Sequence, residues 1–187
     1  MDPAVFLDRD GVIIENVDSY VRNWEDVVFY PSSLHALNLL ATSSYKIVIT
    51  TNQSAIGRGI ISQSQAKEIN QQVISTVINA GGRVDGLFMC PHSPQDRCAC
   101  RKPLPGLILQ AADALSLDLN KSITIGDALT DIQAGQAAGI PTNIIVKTGR
   151  GSTQLTVPLA ASLPKFFIYD DLSTAVEDIL SSGLLKP

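Results

Sequence analysis

The sequence lacks most of what would tie it to a membrane, a secretory route or a nucleic acid. No apolar run approaches the ~20 residues of a membrane-spanning helix, and no basic segment followed by an apolar stretch opens the chain as an export signal would. Cysteine is scarce, three in 187 residues, and without an export signal this predicts no disulfide framework and a cytoplasmic protein. Basic residues are outnumbered 14 to 18, and the net charge of −4 offers no basic face for nucleic acid. Internal repeats and long linkers are absent too, so residues 1–187 are expected to form one domain with a sizeable core. A composition of 45% hydrophobic and 17% charged residues excludes a disordered chain.

What the chain does have is alternation. Ala4-Val5-Phe6-Leu7 is short enough for a buried strand. Tyr45–Thr51, Gly86–Met89, Ser122–Ile125, Thr142–Val146 and Phe166–Tyr169 read as further strands, the first of them rich in β-branched residues. Helices are expected from Pro31, from Ser62 to about Asn79, over Leu107–Leu115, from Asp131, and over Ser173–Leu180. Glu15–Tyr30 reads as a long polar turn, Gly149–Ser162 as a loop, and Ser181–Pro187 as a frayed tail. Strands alternating with helices predict an α/β fold: a doubly wound, Rossmann-like parallel sheet with helices on both faces.

Chemistry concentrates where strands end. The first strand runs into Asp8-Arg9-Asp10-Gly11. Positions i and i+2 of an extended chain point the same way, so Asp8 and Asp10 can share one mouth at the carboxyl end, where open α/β sheets place ligands. An ordinary strand-to-turn junction would also favour Asp and Gly there. Thr51 and Asn52 follow the second strand and Asp127 the fourth, while Arg101 and Lys102 open a helix that can reach the same mouth. Carboxylates for a hard cation, a hydroxyl and a cationic side chain compose a plausible phosphate site with Mg²⁺.

A second cluster is local. All three cysteines and one of the two histidines fall in a single short loop, as Cys90-x-His92-x₅-Cys98-x-Cys100. Four such ligands suit tetrahedral Zn²⁺, and with no position left open the zinc is expected to be structural. His35, alone on its helix, is expected to be partly buried or solvated.

These stretches resemble the haloacid dehalogenase-like phosphatase superfamily. Asp8-Arg9-Asp10-Gly11-Val12 is similar to its first motif, Thr51 to the second, Lys102 to the third, and Gly126-Asp127 with Asp131 to the fourth. The cysteine loop with Arg101-Lys102-Pro103, and Thr51-Asn52-Gln53-Ser54-Ala55-Ile56-Gly57-Arg58-Gly59, narrow the resemblance to the zinc-loop branch, which holds heptose-bisphosphate and histidinol-phosphate phosphatases.

The resemblance implies a phosphoric monoester hydrolase working through an aspartyl-phosphate intermediate. Asp8 would be the nucleophile and Asp10 the acid and base. Thr51 and Lys102 would hold the phosphoryl oxygens. Mg²⁺ would sit on Asp8, Asp127 and the backbone carbonyl of Asp10, with Asp131 as an orienter. Asp18, Ser19, Tyr20, Asn52, Gln53, Ser54 and Arg101 would touch substrate, and Arg58 would supply a cation for a second phosphate. Trp24 is expected to pack its loop. Ala128 and Ala55 depart from the branch, which often has Lys and Gly there. No insertion is long enough for a cap domain. The expected partner is a small sugar phosphate, with no nucleic acid and no membrane, and the expected state a monomer. Histidinol phosphate, or an idle zinc-stabilised binding module, are the alternative readings.

Overall fold

In a computed structural model of the chain, residues 1–182 are described, the side chain of Ser182 excepted. The described strands are β1 (Ala4–Leu7), β2 (Lys46–Asn52), β3 (Gly86–Cys90), β4 (Ile123–Gly126), β5 (Thr142–Val146) and β6 (Phe167–Tyr169). They form one sheet in the order β3-β2-β1-β4-β5-β6, and every neighbouring pair is parallel. The helices are α1 (Pro31–Ala41), α2 (Ser54–Gly57), α3 (Gln63–Asn79), α4 (Gly106–Leu115), α5 (Leu129–Ala137), α6 (Gly151–Gln154), α7 (Pro158–Ser162) and α8 (Leu172–Ser182). This is the doubly wound parallel sheet that the alternation predicts. None of the described helices is long and apolar enough to cross a membrane.

The strands are apolar on both sides because both faces are covered. Val5, Leu7, Ile47, Ile49, Ile123 and Ile125 pack with α1, α3 and α8. Ala4, Phe6 and Val48 pack on the other face, against Ile108 and Ala111 of α4 and Ala134 of α5. Odd and even residues of β1 thus serve opposite layers, as the period of two requires. By that parity Asp8, next after Leu7, belongs to the side of α4 and α5. Its N–H still bonds the Ile125 carbonyl at 3.0 Å, so the ladder carries one residue past the strand.

The sequence-based bounds move by about one residue at several strand ends, which is ordinary fraying. Two differences have physical causes. The expected loop at 149–162 contains α6 and α7, because Leu155, Val157, Ala160 and Leu163 find apolar partners in Leu129, Ile132 and Ile145, and Pro158 suits a first helical position. Helix α5 begins at Leu129 rather than Asp131, since the Asp131 carboxylate, in the first turn, accepts the Ala128 N–H at 3.1 Å. The long turn 15–30 holds a short 3₁₀ helix, Trp24–Asp26, with Trp24 stacked edge-on against Phe29. Ser181 and Ser182 close α8, and the rest of the expected frayed tail, 183–187, lies outside the described residues. His35 is exposed.

Candidate active site

Strand order reverses between β1 and β4, and a cleft of about 370 Å³ opens beside their carboxyl ends. Such switch points are where doubly wound sheets bind ligands. Lys102, 94 residues from Asp8 in sequence, reaches it and donates at 2.9 Å to the Asp8 carboxylate and at 2.8 Å to the Thr50 carbonyl. A third partner, Asp131, lies 2.5 Å from the same ammonium. Both charged ends are buried, the Lys102 side chain 4% exposed and Asp8 7%. Burial pushes the Asp8 carboxyl up to about 7, aided by Asp131, Asp127 and Asp10 and opposed by Lys102. Burial also works against the Lys102 ammonium, but Asp131 and Asp8 outweigh it and its pKa ends raised. Gly126 is required beneath this cluster, since a Cβ there would meet the Asp131 side chain.

Asp10 lines the same cleft. Arg9, itself 1% exposed, holds it from the side with two bonds of 3.2 and 2.9 Å and anchors to Asn70 at 2.6 Å. The Asp10 carboxylate also accepts from Thr51 at 3.3 Å and Gln53 at 2.8 Å. Asp10 therefore has its own frame of partners, while its carboxylate stays one-fifth open to the cleft.

Asp127 is fully buried and met by four donors. Arg150 gives its Nη2 at 3.1 Å to one oxygen, and its Nε at 3.3 Å and backbone N–H at 2.9 Å to the other. Asn16 Nδ2 adds a fourth bond of 2.5 Å. Gly11 (φ +88°) and Gly149 (φ +55°) come up against this carboxylate so closely that a Cβ on either would collide with it. Burial raises the Asp127 pKa, and Arg150 pulls the other way. Asp8, Asp127 and Asp131 each place a carboxylate oxygen within 4.8 Å of the others. All three are engaged by protein donors, Asp8 and Asp131 by Lys102 and Asp127 by Arg150 and Asn16, and carboxylates gathered this closely suit a hard divalent cation.

Of the residues named from sequence, Asp8, Asp10, Asp18, Tyr20, Asn52, Gln53, Ser54, Arg101, Lys102 and Asp131 line the cleft. Thr51 is fully buried behind Asp10. Ser19 and Arg58 are exposed and are not among the lining residues. Arg58 caps α2, which is tied down on the cysteine loop by the Gly57 N–H to the Pro91 carbonyl at 2.8 Å. Asn52 spends its amide on the Lys102 backbone, accepting the N–H and donating to the carbonyl, both at 3.1 Å. It positions Lys102. The cleft also contains Asn16, Val17, Val21, Thr130 and Arg150, which the sequence reading missed. Arg150 lies in what reads as a plain Gly-rich loop, with only its flanking glycines as a signal.

The cysteine loop gathers Cys90, His92, Cys98 and Cys100 beside the cleft. Five of the six distances among their ligating atoms run from 3.2 to 3.6 Å. A disulfide would need about 2.0 Å; ligands of a tetrahedral zinc stand ~3.5–3.8 Å apart. Burial pushes the Cys90 thiol up to about 12. Cys98 is drawn down to about 7, against its own desolvation, by the N–H of Arg101 and its thiol neighbours. The donor set fits zinc.

Comparison with known proteins agrees with this geometry. Residues 99–175 match the family model described as HAD-hydrolase-like. A D-glycero-beta-D-manno-heptose-1,7-bisphosphate 7-phosphatase of Bordetella bronchiseptica is 36% identical over 180 residues, covering 96% of this chain and 98% of that protein. Its Escherichia coli K12 namesake is 37% identical over 159 residues, 81% and 82% of the two chains. The crystal structure of D,D-heptose 1,7-bisphosphate phosphatase from B. bronchiseptica, complexed with magnesium and phosphate, superposes with a TM-score of 0.89 at 35% identity and covers 96% of this chain and 99% of that one.

Proposed function

The chain belongs to the haloacid dehalogenase-like phosphatases, within the family of D-glycero-beta-D-manno-heptose-1,7-bisphosphate 7-phosphatases, and from that premise we propose how its residues divide the reaction. The enzyme is a phosphoric monoester hydrolase whose substrate is a small sugar phosphate, and its reaction is removal of the 7-phosphate of a heptose 1,7-bisphosphate. The observation that carries the division of labour is the buried triad at the switch point, with Lys102 clamped between Asp8 and Asp131.

Asp8 is the nucleophile. Its carboxylate attacks phosphorus, the bond from phosphorus to the sugar oxygen breaks, and Asp8 carries the phosphoryl group. Asp10 gives its proton to the departing alkoxide. It then takes a proton from the water that attacks the phosphoryl group, so that inorganic phosphate leaves and Asp8 is regenerated. Lys102 steadies the phosphoryl oxygens, and Thr51, buried against Asp10, would join it by turning its hydroxyl from that carboxylate to the incoming phosphoryl group. Mg²⁺, held by Asp8, Asp127 and the Asp10 carbonyl, supplies positive charge that eases the approach of one anion to another. Arg101, Asp18 and Tyr20 frame the sugar.

In the cysteine loop, zinc on Cys90, His92, Cys98 and Cys100 fixes the segment that leads into Arg101 and Lys102. Its reduced thiols fit a cytoplasmic setting. We take the protein to act as a monomer. Phosphate release from D-glycero-D-manno-heptose 1,7-bisphosphate, histidinol phosphate and fructose 1,6-bisphosphate tests the reading. A kcat/KM highest for the heptose bisphosphate supports it, and preference for histidinol phosphate overturns it.

A further inference from the structure

The Asp127 carboxylate poses a problem for any cation. Four protein donors reach it, unevenly: Arg150 Nε and N–H and Asn16 Nδ2 crowd Oδ2, while Arg150 Nη2 alone sits on Oδ1. Oδ1 is the more open oxygen, and a divalent ion that takes it meets the positive charge of the Arg150 guanidinium already seated there. Asn16 is half-buried in the segment after the Gly11 turn, and the Arg150 N–H belongs to a backbone tied to that turn through Thr148, whose hydroxyl bonds the Gly11 carbonyl at 2.6 Å. The Arg150 guanidinium is different. Its side chain is 57% exposed, stands between Gly149 and Gly151, and among the described residues is the one donor on Asp127 Oδ1. It can rotate away without moving the backbone. Where it would go is also constrained. Arg150 lines the cleft together with Asp18, Tyr20 and Arg101, the residues proposed to frame the sugar, and Ala128 leaves no cation of its own beside Asp127.

We propose that Arg150 is the specificity residue of this site: its guanidinium occupies the Asp127 seat until a divalent cation displaces it, and then turns to the non-reacting phosphate of the substrate. The first half is a competition between two cations for one carboxylate and is independent of turnover. The second half rests on the phosphatase reading above, and assigns to Arg150 the second-phosphate contact that the sequence pattern suggests for Arg58. Arginine suits it, because a planar fork can exchange a bidentate carboxylate for a bidentate phosphate with little change in geometry.

The test has two arms. Calorimetric titration of substrate-free protein with Mg²⁺ compares wild type with Arg150→Gln. Removing the competitor is expected to tighten Mg²⁺ binding about tenfold, the equivalent of one charge-assisted hydrogen-bonded pair. Metal-free Arg150→Gln should also melt lower than wild type, while the Mg²⁺-saturated variants melt together. Unchanged or weaker Mg²⁺ affinity overturns the displacement, because a residue that merely oriented Asp127 would weaken the metal when removed. In the second arm, at saturating Mg²⁺, Arg150→Gln should raise KM for the sugar bisphosphate about tenfold and leave KM for p-nitrophenyl phosphate within about twofold, with Arg150→Lys in between. Equal changes on both substrates overturn the second-phosphate role. If wild type hydrolyses p-nitrophenyl phosphate but not the heptose bisphosphate, the proposed function fails while the metal titration still decides the first half.

Discussion

The cleft and the cysteine loop lie side by side, yet they are built in opposite ways. The loop draws Cys90, His92, Cys98 and Cys100 from adjacent chain, and its geometry needs little beyond a turn. The cleft draws its pairs from far apart: Asp8 with Lys102, Asp10 with Thr51, Asn16 with Asp127. Only the sheet brings those together, because parallel strands β1, β2 and β4 end at the same edge. A local site can be held by a metal. A distributed one must be held by the whole fold, and it leaves charges buried that only a partner or a ligand can balance. The two meet at Asn52, which grips the backbone of Lys102 just past the last cysteine.

Separate construction predicts separable damage. The largest effect is expected from Asp8→Asn, which keeps shape but cannot attack phosphorus. Turnover should fall by more than about 10⁴-fold, with circular dichroism unchanged and zinc content at wild-type level by elemental analysis. A variant that lost zinc as well would show the two regions to be one unit.

Next comes removal of zinc from protein purified without chelator. Metal-binding free energy is folding free energy, and each kcal/mol moves a domain of this size by about 2–4 °C. Loss of the metal should lower Tm by about 10 °C or more and cut kcat, because the loop runs directly into Lys102. Protein that contains no zinc as purified, with all three thiols open to titration, would contradict the assignment.

Asn52→Ala probes the joint itself. Freed from its clamp, Lys102 should hold the phosphoryl group less well, and kcat should drop about tenfold, the worth of two hydrogen bonds to a positioned backbone. Zinc content and KM should change little. A large rise in KM with kcat intact would instead make Asn52 a substrate contact.

The smallest effect is a pH dependence belonging to the cleft alone. Burial raises the Asp8 carboxyl from 3.8 to about 7. A raised carboxyl binds its proton more tightly in the folded state. Its contribution to stability is therefore complete at low pH and is lost as pH rises through about 4 to 7. Mg²⁺ needs that proton gone. The difference in Tm with and without Mg²⁺ should widen from pH 5 to pH 8, and a constant gap would contradict the buried acid.

The same contrast sorts what the sequence reveals. The loop is legible from spacing, since four soft ligands in one stretch have few other uses. The sheet is legible from alternation, and Asp8, Asp10 and Asp127 from lying at strand ends. Arg150 and Asn16 are not, because nothing in a Gly-Arg-Gly loop or a polar turn tells which distant carboxylate it will meet, and neither is the anchoring of Arg9 on Asn70, 61 residues away. Arg58 shows the same gap: its place just after Thr51 suggests the cleft, while the chain sets it exposed and outside the lining residues, with Gly57 tied to Pro91 of the cysteine loop.

The central claim is that Asp8 carries the phosphoryl group, and it can be seen directly. Asp10→Asn should form the acyl phosphate and release it slowly for want of a base. Acid quenching of that variant a few turnovers after mixing with heptose bisphosphate and Mg²⁺, followed by peptide mass spectrometry, should find one phosphoryl group on the peptide containing Asp8. A phosphoryl group on another peptide, or phosphate release with no phosphorylated protein at any quench time, would contradict the account.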